Sequence, residues 1–144
     1  MNRTATGGRD SQSLVLMFSA LALWALQGLL AVVFLAHGLL FLFPPADVAP
    51  QMNAAFPRWF QLFMGFAELA AFVGLVLPAA VRRHQWLMVW AALGTVIVLA
   101  SATVLHTVRG EYSSAVITVV LLAMAVTVAW GRRRVLARKA GRSI

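Results

Sequence analysis

The sequence contains no cysteine and few charged residues. Without thiols the chain cannot form disulfides, iron–sulfur clusters or thiolate metal sites, and quinone-reducing enzymes that depend on a CxxC pair are excluded. We expect no metal site. Charged residues make up 11% of the 144 residues and hydrophobic residues 62%, whereas a soluble domain has about 45–50% apolar residues. The composition therefore predicts an integral membrane protein.

The hydrophobic residues fall into long uninterrupted blocks. These blocks are Leu14–Phe43, Phe60–Ala80, Trp86–Leu105 and Tyr112–Trp130. A helix needs about 20 apolar residues to cross a bilayer. We therefore expect transmembrane helices at about residues 22–43, 60–80, 86–108 and 112–130, with a basic cytoplasmic tail at 131–144. The first block exceeds one crossing, and we interpret it as a single tilted helix whose first turns lie in the interface.

The connections between these blocks are short, apart from a proline-containing segment at 44–57 that we expect to form a structured loop or short interfacial turn. Short connections make successive helices antiparallel neighbours. The predicted fold class is an all-α membrane protein, a single four-helix antiparallel bundle with both termini cytoplasmic.

Basic residues are distributed unevenly between the two sides of this bundle. The side that holds both termini carries ten of them: Arg3, Arg9, Arg82, Arg83, Arg132, Arg133, Arg134, Arg138, Lys139 and Arg142. The opposite side carries only Arg58 and Arg109. Positively charged flanks stay in the cytoplasm, so this asymmetry predicts cytoplasmic termini. We interpret the basic residues as anchors to anionic lipid and expect no nucleic-acid partner.

Ionisable residues also occur within the spans or at their outer ends, at His37, Glu68, His106 and Arg109. A carboxylate inside a span is costly, so Glu68 must be paired, protonated or used. At the rise of a helix, Glu68 lies about 15 Å and His37 about 9 Å from the outer ends of their helices. His106 and Arg109 lie near the outer end of the third span. Since all four share the outer half, they are candidates for a ligand pocket or for proton handling.

The third span presents Thr95, Leu99, Ala102, His106 and Arg109 on one face, because they recur at helical spacing. The small side chain of Ala102 would let Glu68 and Arg109 approach each other. Purely structural interpretations stay open. Glu68 could be a neutral carboxyl that holds helices together, His106 an interfacial residue, and Arg109 a residue that extends to the headgroups.

Small residues on the second span are interpreted as helix-packing positions. They are Ala67, Ala70, Ala71 and Gly74. A haem held between His37 and His106 is not expected, because the two histidines differ in depth by about 5 Å.

Three segments, FLAHGLLFLF, GFAELAAFVGLVLPA and ALGTVIVLASATVLHTVRGE, resemble the DoxX-like family of small bacterial four-helix membrane proteins. The resemblance covers roughly residues 24–131. Its most specific parts are Gly65-x-x-Glu68-Leu and His106-x-x-Arg109-Gly-Glu. Where the family often has a lysine near the end of the first helix, this chain has Phe41.

The resemblance implies location in the bacterial cytoplasmic (inner) membrane and association with membrane redox complexes or with the assembly of other membrane proteins. Three functions remain open: an accessory redox-complex subunit with an outer pocket for a quinone, a non-catalytic scaffold or assembly factor, and a proton-coupled transporter that uses Glu68. We expect no enzymatic activity from the chain alone. Expected partners are other membrane or membrane-associated proteins, or a second copy of the chain.

Cysteines introduced at Asn2 and in the basic tail should resist a membrane-impermeant maleimide in intact cells, whereas one at Gln51 should react. The reason is the charge asymmetry, which places both termini in the cytoplasm. Labelling of both termini from outside would contradict this orientation.

Overall fold

The structure is a computed structural model that describes residues 4–81, 84 and 86–141, with the backbone alone at residues 4–16, 79, 139 and 140. Some of the basic residues that predict the orientation lie outside this part of the chain, namely Arg3, Arg82, Arg83 and Arg142. The side chains of Arg9 and Lys139 lie outside it as well.

Five helices follow one another in the part of the chain that the structure describes. They are α1 (Thr4–Leu42), α2 (Ala49–Ala55), α3 (Arg58–Ala80), α4 (Trp86–Val108) and α5 (Tyr112–Ala140). The segments that are long and apolar enough to cross a membrane are Met17–Leu42, Arg58–Pro78, Trp86–Val108 and Tyr112–Arg138. The prediction of an all-α membrane bundle with four spans is confirmed. The connection between the first two spans contains the short helix α2.

Two of the helices are longer than a single crossing requires. Helix α1 is continuous over 39 residues, which corresponds to about 58 Å at the usual helical rise. Helix α5 continues beyond Trp130 through the basic segment to Ala140. Arginine, lysine, leucine and alanine all favour helix, so the segment expected as a tail extends the last helix instead.

The four long helices form a closed ring. Helix α1 packs against α3 and α5, and α4 packs against the same two helices. The buried core between them consists of Leu30, Ala31, Phe34, Leu75, Ala92, Leu99, Ala125, Val128 and Ala129. We call the end of the ring next to α2 the α2 end, and the opposite end, where α1 begins and α5 finishes, the termini end.

Helices α1 and α3 approach most closely at a pair of glycines near the α2 end. A methyl group added at Gly65 would lie 2.6 Å from Cγ of Leu42 and 3.1 Å from the carbonyl oxygen of Gly38. One added at Gly38 would lie 3.1 Å from the carbonyl oxygen of Gly65. Since real side chains do not fit at the shorter of these distances, the absence of a side chain at Gly65 sets the separation of the two helices.

The other small residues of α3 differ in their surroundings. A methyl group at Gly74 would lie 2.7 Å from Cβ of Ala91 on α4, so Gly74 permits a second close approach. Ala71 packs against the core, and Ala67 is half-buried. Ala70 is exposed and takes no part in the core of this chain.

Replacing Gly65 by alanine should destabilise the bundle by about 1–3 kcal/mol, because the new methyl group forces α1 and α3 apart. Gly28→Ala on α1 is the matched control, since a methyl group there meets nothing within 4 Å. That variant should be neutral or more stable by up to about 1 kcal/mol, as alanine favours helix. Denaturant unfolding in detergent measures both. Equal effects would contradict the role of the close approach.

Candidate functional site

A cavity of about 770 Å³ lies between the helices near the α2 end. Most of its wall is apolar, and the connection that contains α2 contributes Val48, Met52 and Phe56. The polar side chains of the wall include His37, Glu68 and His106.

The cavity is continuous with the outer surface of the bundle. Its wall includes Phe63, Ile97 and Ile117, and each of these side chains is more than half exposed. In a membrane protein such outward apolar residues face lipid, so a lipophilic molecule can reach the cavity from the bilayer.

The structure pairs Glu68 with His37. Nδ1 of His37 lies 2.8 Å from Oε1 and 2.9 Å from Oε2 of the carboxylate. The Glu68 side chain is 4% exposed, whereas that of His37 is 52% exposed. The His37 imidazole therefore contacts a buried carboxyl group and keeps about half of its own surface exposed.

The local sequence explains why the two side chains meet. His37 precedes Gly38 in α1, and Gly65 lies one helical turn before Glu68 in α3. The close approach of the helices at the two glycines therefore brings the imidazole and the carboxylate together. The ring of Phe41 packs edge-on against His37, with 5.0 Å between ring centroids.

Phe41 stands at the position where the resemblance described above implied a lysine. It is 7% exposed and lines the cavity. Phe41 therefore contributes an aromatic side chain to the cavity wall, and His37, one helical turn earlier, contributes a polar side chain.

His106 lines the same cavity, and its Nδ1 lies 2.5 Å from Oε2 of Glu111. The turn after α4 makes this contact: Gly110 adopts a left-handed backbone with φ of 74°, and the amide of Glu111 donates to the carbonyl of His106 at 2.9 Å. Glycine is favoured in that conformation.

Arg109 occupies a different place from the one that the sequence indicated. Among the described side chains it lies near Phe56, with its Cζ 4.8 Å from the ring centroid. The residues around the cavity do not include it. The structure therefore brings His37, Glu68 and His106 to one cavity, and the expected approach of Arg109 to Glu68 is replaced by the contact of Glu68 with His37.

Sequence reasoning missed the polar side chains that hold the α2 connection. Gln61 is fully buried, and its Nε2 donates to the carbonyl of Phe56 at 2.9 Å and to Oδ1 of Asn53 at 3.0 Å. Arg58 donates to the carbonyl of Leu42 at 3.0 Å and so satisfies the end of α1. The available signal was a glutamine inside an apolar run, since a buried amide needs partners.

The chemistry available at the site follows from the His37–Glu68 pair. When Glu68 is ionised, Nδ1–H of His37 donates to it, and Nε2 can then accept a proton or a hydrogen bond from another molecule. When His37 is doubly protonated, Nε2–H donates instead. The pair can therefore bind a polar group or exchange a proton with it.

A double-mutant cycle between His37 and Glu68, with each residue changed to glutamine, should give a coupling free energy of about 1–3 kcal/mol, because the pair is partly buried and charge-assisted. His106 and Glu111 are the control pair. Their side chains are 28% and 44% exposed, so their coupling should be smaller, below about 1 kcal/mol. Unfolding free energies in detergent give both values. A coupling no larger than the control would contradict the pairing.

The sequence matches no curated protein and no solved structure significantly. The model of the DoxX-like family matches residues 25–128, a range that includes His37, Glu68 and His106. This chain therefore belongs to the DoxX-like family.

Proposed function

We propose that this multi-pass membrane protein is an accessory subunit of a membrane redox complex and that its cavity binds a quinone-like lipophilic molecule. One observation carries the proposal: a buried carboxyl group and a half-exposed histidine form a hydrogen-bonded pair at the wall of a mostly apolar cavity. Ligand sites commonly combine an apolar wall with a few convergent polar groups.

The size and walls of the cavity support a ligand with a flat ring. Its volume of about 770 Å³ lies within the range of about 300–1,000 Å³ that is usual for small-molecule sites. Phe41 and Phe60 contribute aromatic faces, and Phe56 stacks on Phe60 with 5.2 Å between centroids. A quinone ring would pack among these side chains, and its isoprenoid tail would leave between the helices into lipid.

His37 would recognise the headgroup. When Nε2 is protonated, it would donate a hydrogen bond to the carbonyl oxygen of a quinone. When Nε2 is not protonated, it would accept a hydrogen bond from the hydroxyl of a quinol. Reduction of a quinone to a quinol takes up two electrons and two protons. The pair would pass one of these protons to the ligand, the second would come from water, and the redox partner would supply both electrons.

The proposal includes an orientation and a location. The termini would be cytoplasmic and the cavity would lie in the outer half of a bacterial inner membrane, as the asymmetry of basic residues favours. Partner proteins of the redox complex would contact the outer surface of the bundle.

Ala102→Phe should abolish binding of a short-chain benzoquinone, because Ala102 lines the cavity and a phenyl ring would fill it. Val104→Phe on the same helix is the matched control, since Val104 is 64% exposed and lies outside the cavity wall. Equilibrium dialysis of the detergent-purified protein measures the affinity. Equal binding by the two variants would contradict a ligand in this cavity.

Glu68→Gln should weaken binding of the same quinone by about tenfold, as expected for the loss of a charge-assisted contact that orients His37. The bundle should keep its fold, since glutamine has nearly the same volume. A Glu68→Gln protein that binds quinone normally and supports growth in a complementation assay would instead favour the scaffold function.

A further inference from the structure

A second polar cluster lies at the termini end of the ring, away from the cavity. Its members are Gln27 on α1 and Arg132 on α5, which are 2% and 8% exposed. Nε of Arg132 donates to Oε1 of Gln27 at 2.7 Å, and Nε2 of Gln27 donates to the carbonyl of Leu75 on α3 at 2.5 Å. Nε2 of Gln27 also lies 3.4 Å from Sδ of Met88 on α4, so the cluster connects all four long helices and buries a guanidinium.

Among the side chains that the structure describes, no carboxylate lies within ion-pair distance of the guanidinium. Its Nη2 atom is buried and has no hydrogen-bond partner among the described residues. Of the four acidic residues, Glu68 and Glu111 contact histidines and Asp47 lies in the α2 connection. Asp10 precedes Gln27 on α1 by about 25 Å of helix. A buried charge without a partner is strongly unfavourable, so an anion from outside the chain would complete the cluster.

A groove adjoins the cluster and opens between α1 and α3. It has a volume of about 320 Å³, and Trp24, Gln27, Gly28 and Val76 are among the residues that line it. Two of these, Trp24 and Gln27, also contact the guanidinium, whose Cζ lies 4.2 Å from the centroid of the Trp24 ring. Trp24 is 48% exposed, and its ring would have to rotate for a ligand in the groove to reach the buried Nη2.

We propose that Arg132 binds a phosphate group at the termini end, and that a phospholipid supplies it. The phosphodiester would accept a hydrogen bond from Nη2, and an acyl chain would lie in the groove beside Gly28, where the missing side chain leaves open space. The basic segment of α5 and the tryptophans at this end are typical of the level of lipid headgroups. Free phosphate has the same chemistry and is the other source.

Native mass spectrometry of the full-length protein in detergent tests the proposal with three probes: phosphatidylglycerol, inorganic phosphate, and diacylglycerol, which has acyl chains but no phosphate. The test variants are Arg132→Gln, which removes the guanidinium, and Gln27→Glu, which gives Arg132 a carboxylate partner inside the protein. Arg133→Gln is the matched control, because Arg133 is exposed and the change in charge equals that of Arg132→Gln.

The protein and the Arg133→Gln control should retain phosphatidylglycerol, and both test variants should retain it about tenfold less, as expected for a charged hydrogen bond. Diacylglycerol should not distinguish the proteins. Retention of inorganic phosphate that depends on Arg132, without retention of the lipid, supports the phosphate site and assigns it to the soluble anion. If Arg132→Gln does not fold, Gln27→Glu decides. Equal retention by a folded test variant, or equal loss in the control, would overturn the proposal.

Discussion

The hydrogen bonds between His37 and Glu68 are the interaction on which the α2 half of the bundle depends. The hydrocarbon of a bilayer offers no hydrogen bonds, so a polar side chain within a span must find its partners inside the protein. The carboxylate of Glu68 satisfies this requirement through a single imidazole. That contact in turn requires α1 and α3 to approach at Gly38 and Gly65, where a side chain at Gly65 would not fit at the existing separation and one at Gly38 would be tight.

The same requirement divides the bundle into two levels with different polar chemistry. Near the α2 end, the carboxyl group of Glu68 is buried, and its histidine partner lines a mostly apolar cavity. At the termini end, a positive group is buried and bonded to a neutral amide, Gln27. The buried carboxyl of the first level has a histidine partner, whereas the guanidinium of the second has no acidic partner among the described side chains. We therefore propose different ligands for the two levels, a lipophilic molecule with a polar headgroup at one and an anion at the other.

The number of spans and the fold class could be predicted from the sequence, because hydrophobic length alone determines how many helices cross a bilayer. Glu68 could be recognised as an inward residue, since a carboxylate facing lipid is costly. The partner of Glu68 could not be identified, because the depth of a residue in the membrane does not show which neighbouring helix its side chain faces. Arg109 and His37 both lie near the depth of the cavity, but only His37 lies beside the glycines that bring α1 to α3.

There is a second reason why the burial of some polar side chains could not be predicted, and it applies to Gln27, Gln61 and Arg132. Arg132 follows the last apolar block and resembles an ordinary flanking residue, whereas Gln27 and Gln61 are amides within apolar blocks whose partners the sequence does not identify. Only the packing of three helices shows that Gln27 and Arg132 are buried together. The helical course of α5 through the basic segment is what places Arg132 opposite Gln27, and an irregular tail would not have done so.

The central claim is that His37 holds Glu68 through one ring nitrogen and meets the ligand with the other. Solid-state NMR of the ¹⁵N-histidine-labelled protein in lipid bilayers, with and without a short-chain quinone, tests it most directly. With the carboxyl carbon of Glu68 labelled with ¹³C, we expect Nδ1 of His37 to stay hydrogen-bonded to that carboxyl group in both samples. The ¹⁵N chemical shift of Nε2 should change when the quinone is added. Binding of quinone with no change at Nε2, or Nδ1 of His37 without contact to Glu68, would contradict it.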